Sequence, residues 1–195
     1  MIDRRDLIQR AAMALGGAIS SSAVIGVMGG CVASAAPAPQ HTKFFTPSEA
    51  KTVAAIAEHI IPRTETPGAI DVGVPAFIDR MMADYYQDHE RSAVRAGLVM
   101  IDADARLAKA KTFIALSSDH QVEMLKRYDR EAYEQIHGGI SPGADRHVFG
   151  TLKELTTLGY FSSEVGASKV LKYAAVPGPY HGDIPYAQVG RAWAI

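Results

Sequence analysis

The sequence has almost no cysteine. Its 195 residues include one, Cys31, which lies near the start of the chain. Beyond that position no disulfide can form, and neither a cysteine zinc site nor an iron–sulfur cluster has ligands. Thiol-based catalysis is excluded from that part of the chain for the same reason.

An excess of charge of one sign is also missing. Twenty Lys and Arg residues against 21 Asp and Glu residues give a formal net charge of −1. No window carries the basic stripe that binds a phosphate backbone, so the sequence argues against a nucleic-acid partner. The hydrophobic fraction of 48% and the charged fraction of 21% are those of an ordinary globular domain.

Two further patterns that would indicate chemistry are absent. No Gly-x-Gly-x-x-Gly follows a strand pattern, which excludes the usual dinucleotide site. The seven histidines contain no His-x-x-x-His pair of the kind that binds a metal from one helix face. We therefore expect no catalytic, cofactor-binding or metal-ligating residue in this chain.

Residues 1–31 have the composition of an export signal. Arg4 and Arg5 precede an uncharged, mildly apolar stretch from Ala11 to Gly30. The paired arginines favour the twin-arginine type, and hence a periplasmic location. A transmembrane helix is the alternative, since about 20 apolar residues can cross a bilayer.

The end of this signal can be interpreted in two ways. Met28-Gly29-Gly30-Cys31 resembles a lipoprotein processing site, which would make Cys31 the lipidated residue and anchor the protein to the membrane. The other cleavage site follows Ala35, in an Ala-x-Ala pattern. A single cysteine directly after an export signal favours lipidation.

The rest of the chain predicts an all-α domain over residues 46–195, after a flexible tether at 32–45. Thr46-Pro47-Ser48-Glu49 is a capping box, and Phe45 can act as its hydrophobic staple. Apolar residues then recur at three- and four-residue spacing, and alternating strand patterns are absent. We expect a small irregular bundle of five or six helices with long ordered Pro/Gly-rich loops.

The later helix boundaries follow from similar signals. Pro75 can start a second helix, and residues 90–109 form a third. Residues 117–121 indicate another capping box, which opens a fourth helix. A fifth helix is predicted over residues 145–158, with Gly159 as its left-handed C-cap.

Two long segments are rich in proline, glycine and aromatic residues. The first covers residues 62–75, and the second covers residues 159–186. Proline and glycine restrict or permit unusual backbone angles, and aromatic side chains on such a frame are typical interface anchors. The alternative is an irregular tail that covers the bundle. His181 lies beside Asp183 in the second segment and is predicted to have a structural or interface role.

Several of these segments resemble one protein family. The family is gluconate 2-dehydrogenase subunit 3, and the similarity covers essentially all of the chain after the signal. The matching segments are IIPRTETPGAIDVGVPAFID (Ile60–Asp79), LKELTTLGYFSSEVG (Leu152–Gly166), KVLKYAAVPGPYHGDIP (Lys169–Pro185) and GRAW (Gly190–Trp193).

The resemblance implies a non-catalytic small subunit of a periplasmic dehydrogenase complex. The large subunit would be an FAD-dependent flavoprotein of the glucose–methanol–choline type that oxidises a sugar, a sugar acid or a glycoside. A cytochrome c or a similar acceptor would pass the electrons toward the respiratory chain. The large subunit often lacks an export signal in such complexes, so the small subunit would export and stabilise it.

On this interpretation the two loop segments dock on the flavoprotein. Arg63, Glu65 and Asp71 would supply polar pairing, and Tyr160, Phe161, Tyr180 and Trp193 would supply apolar anchors. The loop with His181 and Asp183 could also approach the flavin of the partner. A different hypothesis is a free-standing periplasmic lipoprotein that binds a small ligand between its helices.

Overall fold

The computed structural model describes residues 44–138, 146–174, 176, 178–179 and 183–194. The predicted signal with Arg4 and Arg5, the Cys31 site, and two of the predicted interface residues, Tyr180 and His181, lie outside these residues.

The described residues form a small helical bundle, as predicted. Its long helices are α1 (Pro47–Ile60), α2 (Val74–Asp84), α3 (Asp88–Lys109), α4 (Ser118–His137) and α5 (Val148–Ser162). The shorter elements are a 3₁₀ turn (Phe113–Ala115), a π-helical turn (Gly166–Val170), β1 (Lys172–Tyr173), α6 (Tyr186–Val189) and β2 (Trp193–Ala194).

Helix α1 begins as the sequence predicts. The Thr46 hydroxyl accepts from the Glu49 backbone N–H, and the Glu49 carboxylate accepts from the Thr46 N–H, so the capping box is complete. Phe45 is buried, and Asp79 on α2 accepts the backbone N–H groups of both Phe44 and Phe45. These two residues, which the sequence assigns to the tether, are therefore bound to the bundle.

The second predicted capping box does not form. Ser117 is the N-cap of α4, but its side chain makes no capping hydrogen bond and its hydroxyl lies 2.8 Å from Nδ1 of His120. Gln121 is instead buried: its amide donates to the Phe113 carbonyl at 2.8 Å, and its oxygen lies 2.7 Å from Nε2 of His59. A tertiary contact with α1 has replaced the local cap.

Helix α5 is the centre of the bundle, since it contacts all four other long helices. The prediction that Gly159 ends it was wrong, because α5 continues to Ser162. A Cβ added at Gly159 would lie 2.6 Å from the Phe77 ring. The glycine therefore allows α2 and α5 to approach closely and does not serve as a cap.

Beyond α5 the chain forms a minimal parallel sheet. Lys172 pairs with Trp193, and Tyr173 pairs with Ala194. The periodicity did not predict these strands, since two residues are too few to show alternation.

Candidate partner-binding surface

The Glu58 carboxylate is hydrogen-bonded to the backbone of the loop between α1 and α2. One carboxylate oxygen accepts the backbone N–H of Arg63 at 3.0 Å, and the other accepts that of Ile70 at 3.0 Å. A Cβ added at Gly68 would lie 2.3 Å from the same carboxylate, so the loop follows the surface of Glu58 closely. One side chain thus fixes two points of the loop that lie seven residues apart.

An ion pair fixes the outer part of the same loop. The guanidinium of Arg63 donates to both carboxylate oxygens of Asp71, and Asp71 also accepts the Gly68 N–H at 2.9 Å. The hydrogen bond from Arg63, supported by that from Gly68, lowers the pKa of Asp71. An exposed pair of this kind contributes little to overall stability, but its two-point geometry sets the loop conformation. Glu65, the third predicted polar residue, is exposed.

Tyr160 lies in the core and differs from the exposed anchor that the sequence predicts. Its side chain is 1% exposed, and its hydroxyl donates to the Pro67 carbonyl at 2.7 Å. The adjacent Phe161 is 37% exposed and packs edge-to-face on Tyr160, with ring centroids 5.2 Å apart. Tyr160 therefore supports the loop from below, and Phe161 is the aromatic residue that remains accessible at this point.

The turn after α5 joins this support to the C-terminal residues. The Ser163 hydroxyl donates to the Tyr160 carbonyl at 2.6 Å and accepts the Gly166 N–H at 3.0 Å. A Cβ at Gly166 would lie 1.9 Å from the same carbonyl, so this close approach requires glycine.

The C-terminal segment, meaning the described residues from 169 to 194, is held together by a few contacts. The Lys172 N–H donates to the Ala192 carbonyl at 2.7 Å, and Arg191 donates to the Lys169 carbonyl at 2.5 Å. The Lys172 ammonium lies 4.2 Å from the centroid of the Trp193 ring.

The described residues of this segment expose large apolar side chains. The exposed fractions are 64% for Tyr173, 86% for Val176, 43% for Ile184 and 40% for Trp193. Asp183 is also exposed. Apolar side chains concentrated in this way are typical of a surface that a partner covers.

Two features of this surface were missed by the sequence analysis. Glu58 lies in the last turn of a helix that precedes a Pro/Gly-rich loop. From that position its carboxylate could have been predicted to accept backbone N–H groups of the loop. The burial of Tyr160 had a weaker signal, since Tyr160 continues the apolar face of α5 two residues beyond the predicted end at residue 158.

No group of three metal-ligating side chains occurs among the described residues. The same residues include no helix that is both long and apolar enough to span a bilayer. The pKa shifts of buried groups lie elsewhere: burial raises the pKa of Tyr128 and lowers that of His147, and both residues lie where α4 meets α5.

Comparisons with known proteins identify the family. The family model described as gluconate 2-dehydrogenase subunit 3 matches residues 47–178, more than half of the chain. Comparisons with curated proteins and with solved structures give no match. The chain therefore belongs to the gluconate 2-dehydrogenase subunit 3 family, which makes it a small subunit of a dehydrogenase complex with a catalytic partner.

Proposed function

We propose that the chain is the non-catalytic small subunit of a periplasmic FAD-dependent dehydrogenase, and that it exports and stabilises the catalytic flavoprotein. The partner is of the glucose–methanol–choline type and oxidises a sugar, a sugar acid or a glycoside. FAD is bound by the partner, and a cytochrome c receives the electrons. Family membership and the sequence resemblance described above support this assignment.

The exposed apolar side chains of the C-terminal segment are the observation that carries the proposal. Tyr173, Val176, Ile184 and Trp193 are all more than a third exposed, and exposed apolar side chains grouped in one segment are typical of a surface that a partner covers. A large catalytic subunit that covers them would remove this surface from water. The loop between α1 and α2, with its backbone fixed by Glu58, loses little conformational entropy on docking.

Co-purification tests this docking surface. The double variant Tyr173→Ala, Trp193→Ala removes two exposed aromatic residues and should release the flavoprotein in a pull-down from co-expressing cells. The matched control is Val99→Ala, Leu107→Ala on α3, where the side chains are 68% and 87% exposed but lie outside the proposed surface. Equal retention of the flavoprotein by both variants would contradict the proposal.

Export is tested separately. The paired arginines at positions 4 and 5 support twin-arginine transport, a route that carries folded proteins. Replacing both with lysine should leave the small subunit and the flavoprotein together in the cytoplasm. Cys31→Ser should leave export intact and release the complex from the membrane fraction if the chain is anchored by lipid. Arrival of the flavoprotein in the periplasm without the paired arginines would overturn the export role.

A further inference from the structure

We propose that His147 is an acid-sensitive cap on α5, so that protonation of its imidazole loosens the start of the central helix. His147 is the N-cap residue of α5. The proposal concerns the folded state of this chain and does not depend on the identity of its partner.

The capping hydrogen bond of the His147 side chain requires a neutral ring. Its Nδ1 accepts the backbone N–H of Phe149 at 3.2 Å, so Nδ1 carries no proton and the ring proton lies on Nε2. A protonated imidazole has donors at both nitrogens and cannot accept this bond. Protonation therefore removes the cap and places positive charge beside the free N–H groups of the helix start, where it is unfavourable.

The other ring nitrogen, Nε2, has no strong acceptor that could offset the loss of the cap on protonation. Nε2 is buried and has no hydrogen-bond partner among the described residues. The nearest acceptor is Oε2 of Glu131 on α4, at 3.5 Å, which is too long for a strong hydrogen bond. The Tyr128 ring lies beside the imidazole, with centroids 5.8 Å apart and ring planes inclined by 39°.

The charges around His147 come from three helices. On α4, Glu131 faces the ring, and Arg127 shares that carboxylate at 3.7 Å. On α3, Asp104 accepts the Tyr128 hydroxyl and an Arg127 hydrogen bond. The neighbouring Arg146 is paired with Glu154 of α5 itself. Glu131 is therefore the group that favours the imidazolium, and Arg127 weakens its effect.

Burial accordingly prevails and lowers the pKa of His147 below its ordinary 6.5, with Glu131 opposing it. The unfolded chain binds a proton at this residue near pH 6.5, whereas the folded chain resists it. Titration of His147 therefore leaves the stability unchanged above that pH and lowers it as the pH drops below it.

The first turn of α5 is closely packed against α3, so a change in its conformation on loss of the cap would disturb that contact. A Cβ added at Gly97 of α3 would lie 2.3 Å from the Val148 side chain, so the two helices are already in close contact next to His147. The backbone N–H of His147 also donates to the Gln135 side chain at 2.7 Å, which ties the same turn to α4. Loosening this turn therefore weakens the junction of α3, α4 and α5.

Urea unfolding of the full chain at pH 7.5 and pH 5.0 tests the proposal. The variant His147→Asn keeps a good capping side chain but cannot titrate. The folding equilibrium constant of the wild type should fall between these pH values by up to about tenfold per pH unit below 6.5, in excess of any fall in His147→Asn. Glu131→Gln removes the carboxylate that favours protonation and should steepen the loss.

An NMR titration of the histidine side chains provides a second measurement. The His147 resonance should titrate below 6.5, and further below in Glu131→Gln. Equal pH dependence of the wild type and His147→Asn, or a His147 pKa at or above 6.5, would overturn the proposal. If His147→Asn did not fold, the NMR titration of the wild type and Glu131→Gln would still support or overturn the proposal.

Discussion

The Tyr160 hydroxyl donates a hydrogen bond of 2.7 Å to the carbonyl of Pro67, across 93 positions of sequence. This bond joins the end of the central helix to the loop between α1 and α2. The Tyr160 side chain is buried and Pro67 is partly buried, so removing either group would leave the other without a partner and with limited access to water.

Tyr160→Phe should therefore lower the free energy of unfolding by about 1 kcal/mol, since it removes the hydroxyl and leaves the Pro67 carbonyl without its donor. Tyr160→Ala should lower it by about 3–5 kcal/mol, because it also empties the ring's place in the core. Urea unfolding measures both. Phe161→Ala, at the half-exposed neighbour, is the control and should cost less than Tyr160→Ala. A loss in Tyr160→Ala no larger than in Tyr160→Phe would contradict the core position of the ring.

Gly159 should not tolerate alanine. A methyl group there would meet the Phe77 ring at 2.6 Å and force α2 and α5 apart. We expect Gly159→Ala to destabilise by about 1–3 kcal/mol. The control is Gly150→Ala in the same helix, where the nearest atom, Cβ of Ala132, is at 3.5 Å. There the better helix propensity of alanine should stabilise by about 0.5–1 kcal/mol. Thermal unfolding of the two variants should shift in opposite directions.

Glu58 should control the order of the loop. In Glu58→Gln one carboxylate oxygen becomes an NH₂ donor, which cannot accept from Arg63 or Ile70. Hydrogen exchange should then accelerate at whichever of the Arg63 and Ile70 amides loses its acceptor, and remain unchanged at the core of α5. Glu65→Gln changes an exposed loop carboxylate and is the control. Equal protection of the two amides in both variants would show that Glu58 does not hold the loop.

Tyr128 should make the protein sensitive to alkali. Burial, with Asp104 close by, raises its pKa, so above about pH 10 the unfolded chain releases a proton that the folded chain retains. Stability should fall as the pH rises through this range. Tyr128→Phe should lessen the fall, whereas Tyr133→Phe, at a side chain that is 61% exposed, should not. Urea midpoints at pH 8 and pH 10.5 make the comparison.

Local signals in the sequence predicted the fold well. The capping box at Thr46 and the apolar spacing of α1 and α3 depend on neighbouring residues alone, and both are present in the structure. Helix ends that depend on distant contacts were not predictable in this way. Gly159 has the sequence context of a cap, but Phe77 of another helix determines its position.

The candidate surface was predicted less completely. Composition marked the two Pro/Gly-rich segments, but it could not separate supporting residues from accessible ones. Arg63 is hydrogen-bonded to Asp71, and Tyr160 is hydrogen-bonded to the loop. These three predicted interface residues therefore maintain the shape of the surface. Only the folded structure shows which aromatic side chains are exposed, as Phe161, Tyr173 and Trp193 are.

The central position of α5 has a consequence for synthesis of the protein. The four long helices described before it, α1 to α4, each contact it, so a nascent chain that ends before residue 148 cannot complete the core of the bundle. During that interval the apolar faces of α1 to α4 are open to the solvent of the cytoplasm, and aggregation competes with folding. Mutations that slow the folding of α5 should therefore reduce the yield of soluble protein more than they reduce the stability of the folded protein.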